Sequence, residues 1–260
     1  MLLLVVTSGY GQAKFKAIAF FTAKNDQAHI SYVHEANAWF AKKAAENNFV
    51  YDTTSNWSLM NAEKLSGYQV VLFLDTRPEQ PEQRKAFEEY MNKGGAWMGF
   101  HFAAFAMNDT AYPQNWHWYH NTFLGSGQYV SNTWRPTSAV LKTEARHPAT
   151  KGLPQTFSSA PNEWYRWQND ISKNPDIEIL LSIDISSFPL GTGPKPHEIW
   201  YEGYYPVAWA NKNFRMVYIN MGHNDIDYEG GTNKDLSHTF DNPLQSQFVL
   251  NSLLWLGAKG

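Results

Sequence analysis

The stretch "GGAWMGFHFAAFA", residues 94–106, decides how this chain is read. Gly94 and Gly95 stop whatever helix precedes them, and Ala96 to Phe100 is an apolar run of strand length. His101 follows, with Gly99 two residues before it and Ala103 two residues after it. Small residues flanking the end of a strand are what a tight strand-to-helix turn requires, and α/β enzymes use such turns to present an attacking side chain. The side chain presented here is an imidazole, where a serine or cysteine would usually stand.

Toward the N-terminus the pattern repeats. Residues 15–21 ("FKAIAFF") read as a buried strand, and residues 30–47 as a helix with Ile30, Val33, Phe40, Ala41 and Ala44 on one face. A short strand, "FVYD" (49–52), is followed by a short helix at 61–66. "YQVVLFLD" (68–75) reads as an apolar strand ending in a carboxylate, and residues 79–92 as a charged amphipathic helix. The order β-α-β-α-β-α-β predicts an α/β fold: a single-domain, mostly parallel doubly wound sheet of flavodoxin-like type, with its ligands beyond the carboxyl ends of the strands. His101 and Asp75 both lie at such ends. Toward the C-terminus, "SAVLKTEA" (138–145), "IEILLSIDI" (177–185), "PVAWANK" (206–212) and "RMVYINMG" (215–222) read as additional strands. The last two form a hairpin turning at 211–213, and residues 243–256 form a closing helix.

Composition narrows the function. Twenty-one Lys and Arg against 24 Asp and Glu leave a net charge of −3 with no run of like charge, so neither nucleic acid nor an anionic membrane is an expected partner. Small neutral ligands fit better. The absence of cysteine excludes disulfides, thiolate metal sites and a thiol nucleophile. Residues 1–13 resemble the back half of a secretory signal, but the apolar run 2–6 is shorter than a full apolar region of about 7–15 residues. The first expectation is a truncated signal, implying a periplasmic or secreted protein; the other is a tail on a cytoplasmic one. Residues 14–260 are then one domain, without a membrane span, and the oligomeric state is open.

Familiar catalytic motifs are missing from the sequence. "LGSGQ" (124–128) has the wrong spacing for a nucleophilic serine, "HEANA" (34–38) lacks the second histidine of a zinc protease helix, and no phosphate-binding or dinucleotide-binding glycine motif is present.

Four stretches carry a resemblance: "GGAWMGFHFAA" (94–104), "RHPATKGLPQTF" (146–157), "NEWYRW" (162–167) and "VAWANKNFRMVYINMGHN" (207–224). Their order and spacing resemble the ThuA-like (trehalose-utilisation) family, and the likeness runs from about residue 14 to the C-terminus. It implies the class I glutamine amidotransferase-like fold and a role in carbohydrate metabolism. Asn162 departs from the resemblance, since the family more often has aspartate there. In the amidotransferases the elbow carries a cysteine and a histidine follows a late strand. Here those places hold His101 and the turn His223-Asn224-Asp225, so amidotransferase activity is not expected and two imidazoles would share one crevice.

The candidate catalytic residues are therefore His101, His223 and Glu163, the last flanked by aromatic residues that would limit its hydration. A salt bridge from Glu163 to Arg166 is the competing structural reading. His29 follows the first strand at the same edge, where it either touches substrate or belongs to a helix-cap region. His147, before Pro148, reads as a turn residue. His117 and His120 are spaced to share a helix face, as a surface segment would also place them, and His197-Glu198 is a weaker pair.

Aromatic residues make up 16% of the chain and crowd segments read as loops: Trp116, Trp118 and Tyr119; Trp164, Tyr165 and Trp167; Trp200, Tyr201, Tyr204 and Tyr205. Flat apolar faces beside polar groups suit sugar rings. Trp116, Tyr119, Trp164, Tyr165, His29 and Asn224 are accordingly the expected substrate contacts, with a packed aromatic rim as the competing reading. The expected partner is a small carbohydrate, a disaccharide or keto sugar. No cofactor is required by this reading; its alternative is a divalent metal held by His29, His101 and His223 with Asp225 or Glu163. A third reading is a non-catalytic sugar-binding module.

Overall fold

The structure is a computed structural model, and it describes residues 13–24, 26–133, 136–187, 203–224 and 236–258. Residues 1–12, His197, Glu198, Trp200, Tyr201 and Asp225 lie outside them. The first half of the chain forms β1 (Lys16–Phe20), α1 (Gln27–Asn47), β2 (Val50–Thr54), α2 (Ala62–Leu65), β3 (Val70–Phe73), α3 (Pro81–Asn92) and β4 (Ala96–Phe100). The second half adds β5 (Tyr129–Asn132), β6 (Val140–Thr143), β7 (Thr156–Ser158), β8 (Tyr165–Trp167), β9 (Ile177–Ile183), β10 (Tyr205–Asn211), β11 (Phe214–Ile219) and α4 (Pro243–Gly257). Among the described residues, no helix is long and apolar enough to cross a membrane.

Nine strands make one sheet in the order β2-β1-β3-β4-β11-β10-β9-β6-β7. The pairs from β2 to β11 are all parallel, and those from β11 to β7 are all antiparallel. The doubly wound half is what the continuous apolar runs predict, because parallel strands are covered on both faces. Alternate residues serve different layers. Ala17, Ala19, Val70, Leu72, Met98, Val217 and Ile219 pack with α1 and α4, while Ile18, Phe20, Val71, Phe73, Trp97, Met216 and Tyr218 pack with Phe87 and Met91 of α3.

Helix α1 begins at Gln27, three residues earlier than the apolar period indicates. Asp26 accepts a hydrogen bond from the Ala28 amide and caps it, and Asn48 closes it in a left-handed conformation at φ 57°. His29 consequently sits in the first helical turn. The expected hairpin forms between β10 and β11, with Asn211 Oδ1 accepting from the Asn213 amide at 2.9 Å. A separate two-stranded sheet pairs β5 with β8, so 165–167, read from the sequence as loop, is strand.

Three of the expected sugar contacts are core residues. Trp116 and Tyr119 are 5% and 0% exposed, stack on each other at 4.6 Å and pack around Phe87 of α3. Trp164 is 0% exposed and donates through its indole N–H to the Thr137 carbonyl. A buried ring has no face left for a ligand, so these aromatics belong to packing. His117 and His120 do not share a surface either. His120 is fully buried within a π-helical turn at Trp118–Phe123, while His117 is exposed.

Candidate functional site

The elbow exists. Strand β4 ends at Phe100, and His101 opens a 3-10 turn, His101–Ala104, with φ 43°, a left-handed conformation rarely adopted outside glycine and asparagine. Its carbonyl accepts from the Tyr218 hydroxyl at 2.8 Å, and its ring stacks on Tyr165 with centroids 4.0 Å apart. Gly222 leaves the space the imidazole needs, because a Cβ built there would lie 2.4 Å from the Cβ of His101.

Four segments remote in sequence converge on this turn. Glu163 Oε2 lies 3.2 Å from His101 Nε2 and 3.3 Å from His223 Nε2. His29 reaches in from α1, its ring centroid 5.5 Å from that of His101 and 4.6 Å from that of His223. One ring nitrogen from each of the three histidines falls within 4.8 Å of the others. Asn132 donates to the other carboxylate oxygen, Glu163 Oε1. Arg166 lies elsewhere, its guanidinium 5.6 Å from the Tyr205 ring. Asn162 also faces away from the cluster, donating to the Ala160 carbonyl and to Gln245 Oε1.

Proton placement at His101 is constrained. Its Nδ1 lies 3.2 Å from the Asn220 carbonyl, which can only accept, so Nδ1 carries a hydrogen. In the neutral ring Nε2 is then a lone pair facing a carboxylate oxygen, and two acceptors face each other. Burial lowers the His101 pKa, against the raising effect of Glu163; burial and the two neighbouring imidazoles hold His29 well below its usual value. Burial alone would raise the Glu163 pKa, but hydrogen bonds with His101 and His223 outweigh it and keep the carboxyl well below the usual range.

Sequence reasoning reached His101, His223, Glu163 and His29, which meet here; Tyr165, expected as a substrate contact, is 4% exposed and packs its ring on His101 instead. Asn224 is buried beside them, and its side chain accepts from the His238 amide. It did not reach Asn220, which fixes the His101 tautomer and also ties β11 to the backbone of Tyr165 through both ends of its amide. Its position at the end of an apolar strand, three residues before His223, was the available signal. Asn132 carries no such signal. Asp75 sits at the neighbouring strand end, where its carboxylate accepts from the amides of Thr22 and Ala23 and from the Thr22 hydroxyl. His147 is a turn residue, capping Pro148–Thr150 through the Ala149 amide.

Residues 17–255 match the ThuA family, trehalose utilisation. The chain belongs to the ThuA family. A protein from Bacteroides uniformis described as ThuA-like is 34% identical over 95% of this chain and 92% of its own, with a TM-score of 0.81. A second ThuA-like protein, from Parabacteroides merdae, is 19% identical over 94% of this chain and 90% of its own, with a TM-score of 0.63. A glutamine amidotransferase from Thermotoga maritima, 8% identical over 95% of this chain and all of its own, has a TM-score of 0.52 and shares the fold. No curated protein matches the chain. ThuA membership and the amidotransferase-like fold thus agree with the four sequence stretches that carried the resemblance.

Proposed function

We propose that this ThuA-family chain is a carbohydrate-processing enzyme that acts on a disaccharide or a keto sugar through His101, His223, His29 and Glu163. The observation that carries the reading is the Nε2 of His101 facing Glu163 Oε2 at 3.2 Å while its Nδ1 is committed to Asn220. A proton shared there gives a group that accepts and returns a proton. A ketone acidifies the C–H beside it, so a keto sugar needs one base, one acid and stabilisation of the enolate for elimination, hydrolysis or isomerisation.

A divalent cation held by the three histidines, whose ring nitrogens lie within 4.8 Å of one another, with Glu163 beside them, is the second reading. Ligand atoms about 2.0–2.1 Å from zinc at tetrahedral angles stand about 3.3 Å apart. The contacts from Glu163 Oε2 to the two imidazoles are 3.2 and 3.3 Å. The carbonyl behind His101 is also the outer partner that metal-binding histidines use to fix their tautomer. His29, His101, His223 and Glu163 would hold the ion, which would polarise a sugar carbonyl.

The test is a screen of glycosides and their keto derivatives with product detection by mass spectrometry, with and without added divalent metal. Turnover is expected for at least one, and Glu163→Gln should lower it by about 10²–10⁴-fold while leaving the protein folded. Unchanged turnover in both Glu163→Gln and His101→Ala would reject these roles. Metal dependence of the rate separates the two readings.

A further inference from the structure

A cleft of about 520 Å³ opens beyond the ends of β1 and β3, beside the histidine cluster. This is the point where the chain leaves β1 toward one edge of the sheet while β3 leads toward the other, the place where open α/β sheets bind ligands. Its walls include His29 and Phe102, which also border the cluster, and Trp57, Asp75 and Arg77. We propose that this cleft binds an oxyanion carried by the substrate, the carboxylate of a sugar acid or the phosphate of a sugar phosphate, and that Arg77 is the residue that binds it. The proposal rests on the carbohydrate-processing reading for the sugar part of the ligand and on the cleft itself for the charge.

Arg77 is 7% exposed and has neither a hydrogen bond nor an ion pair among the described residues; its Nε is sealed from solvent with no acceptor in reach. A guanidinium is charged at any physiological pH, and burying one with no acceptor on its Nε–H is unfavourable; of the charges around it, Arg84 opposes it and Glu79 favours it without touching it. Such a group is retained where a ligand supplies the acceptors, and the planar fork of arginine suits carboxylate and phosphate oxygens.

The surroundings point the same way. The first turns of α1, at Asp26 and His29, and of α3, at Gln80 and Gln83, both line the cleft, so the positive ends of two helices face it. Lys24 adds a cation at the wall. Three carboxylates share the wall, Asp75 accepting from Thr22 and Ala23, Asp26 accepting from the Ala28 amide, and Glu79, so the anion is held by Arg77, Lys24 and the helix ends against their charge. Trp57 and Phe102 supply apolar walls for a ring, and the volume suits a ligand of disaccharide size, within the range of about 300–1,000 Å³ usual for small-molecule sites.

Isothermal titration of the full chain with glucuronate, glucose 6-phosphate and glucose tests this. At least one of the two anions is expected to bind tenfold or more tightly than glucose, and which one identifies the source of the oxyanion. Arg77→Met should remove that preference while keeping or raising the unfolding midpoint; if it does not fold, Arg77→Lys should weaken the preferred anion severalfold. Equal affinity for glucose and both anions, no binding of any of the three at millimolar concentration, or a preference that survives in the folded Arg77→Met protein would overturn the proposal. Titration of His101→Ala separates the two claims: anion binding that persists there, with no sugar turned over by the wild type, would sink the catalytic reading and leave this one standing.

Discussion

At His101 the backbone sits in a left-handed conformation that a β-carbon opposes, and the ring is held by Tyr165 on one face and by Asn220 at Nδ1. That combination makes Gly222 a critical neighbour. Gly222→Ala would place a methyl about where the imidazole begins, 2.4 Å from Cβ and 2.5 Å from Cγ, with buried Met221 and His223 on either side in the chain. Overpacking of this kind costs about 1–3 kcal/mol, which urea unfolding would measure. The same shift would separate His101 from Glu163, so turnover should fall together with stability. A variant as stable as wild type would show that the turn relaxes freely. The histidines were legible in the sequence because each stands directly after an apolar strand or opens a helix. The misplaced aromatics, Trp116, Tyr119 and Trp164, were not, because a tryptophan beside a sugar and a tryptophan between two helices have the same local sequence.

At the scale of elements, the segment after the elbow turns inward. The π-helical turn Trp118–Phe123 carries His120 into the interior on the α3 side of the sheet, where burial, and then the charges of Arg77 and Arg84, lower its pKa to about 3. The unfolded histidine titrates near ~6.5, so the unfolded chain takes up this proton first. The contribution is fully present above the unfolded value and is lost as pH falls from there toward 3. Between pH 6.5 and pH 5 the loss should be about 2 kcal/mol, read as a falling urea midpoint. His29, His101 and His147 also have lowered values and add with the same sign. His120→Gln should therefore make the pH dependence shallower without abolishing it, and an unchanged slope would mean that His120 takes up its proton equally in both states. Periodicity could not reveal this turn, since a π-helical turn departs from the 3.6-residue repeat on which helix faces are read.

Over the whole molecule, the parallel half of the sheet was readable because strands covered on both faces are continuous apolar runs, as in "VVLF" of β3 and "AWMGF" of β4. The delivery of Glu163 was not. It rests on a three-residue strand, β8, with one buried and two half-buried positions, paired to β5 across a bulge. The closure of His29, His101, Glu163 and His223 is therefore a product of the completed fold, and a cation that binds this cluster must bind the native state alone. Linkage then makes a thermal prediction. A divalent ion at one hundred times its dissociation constant stabilises by about 2.7 kcal/mol, which in a domain of this size raises the unfolding temperature by about 5–10 °C. Scanning calorimetry of chelator-treated protein with added zinc, manganese or magnesium should show that rise for one of them. The rise should vanish in Glu163→Gln and His101→Ala, because each removes a ligand. If no ion moves the midpoint, or if the two variants respond as the wild type does, the cluster holds a proton and the acid/base reading stands alone.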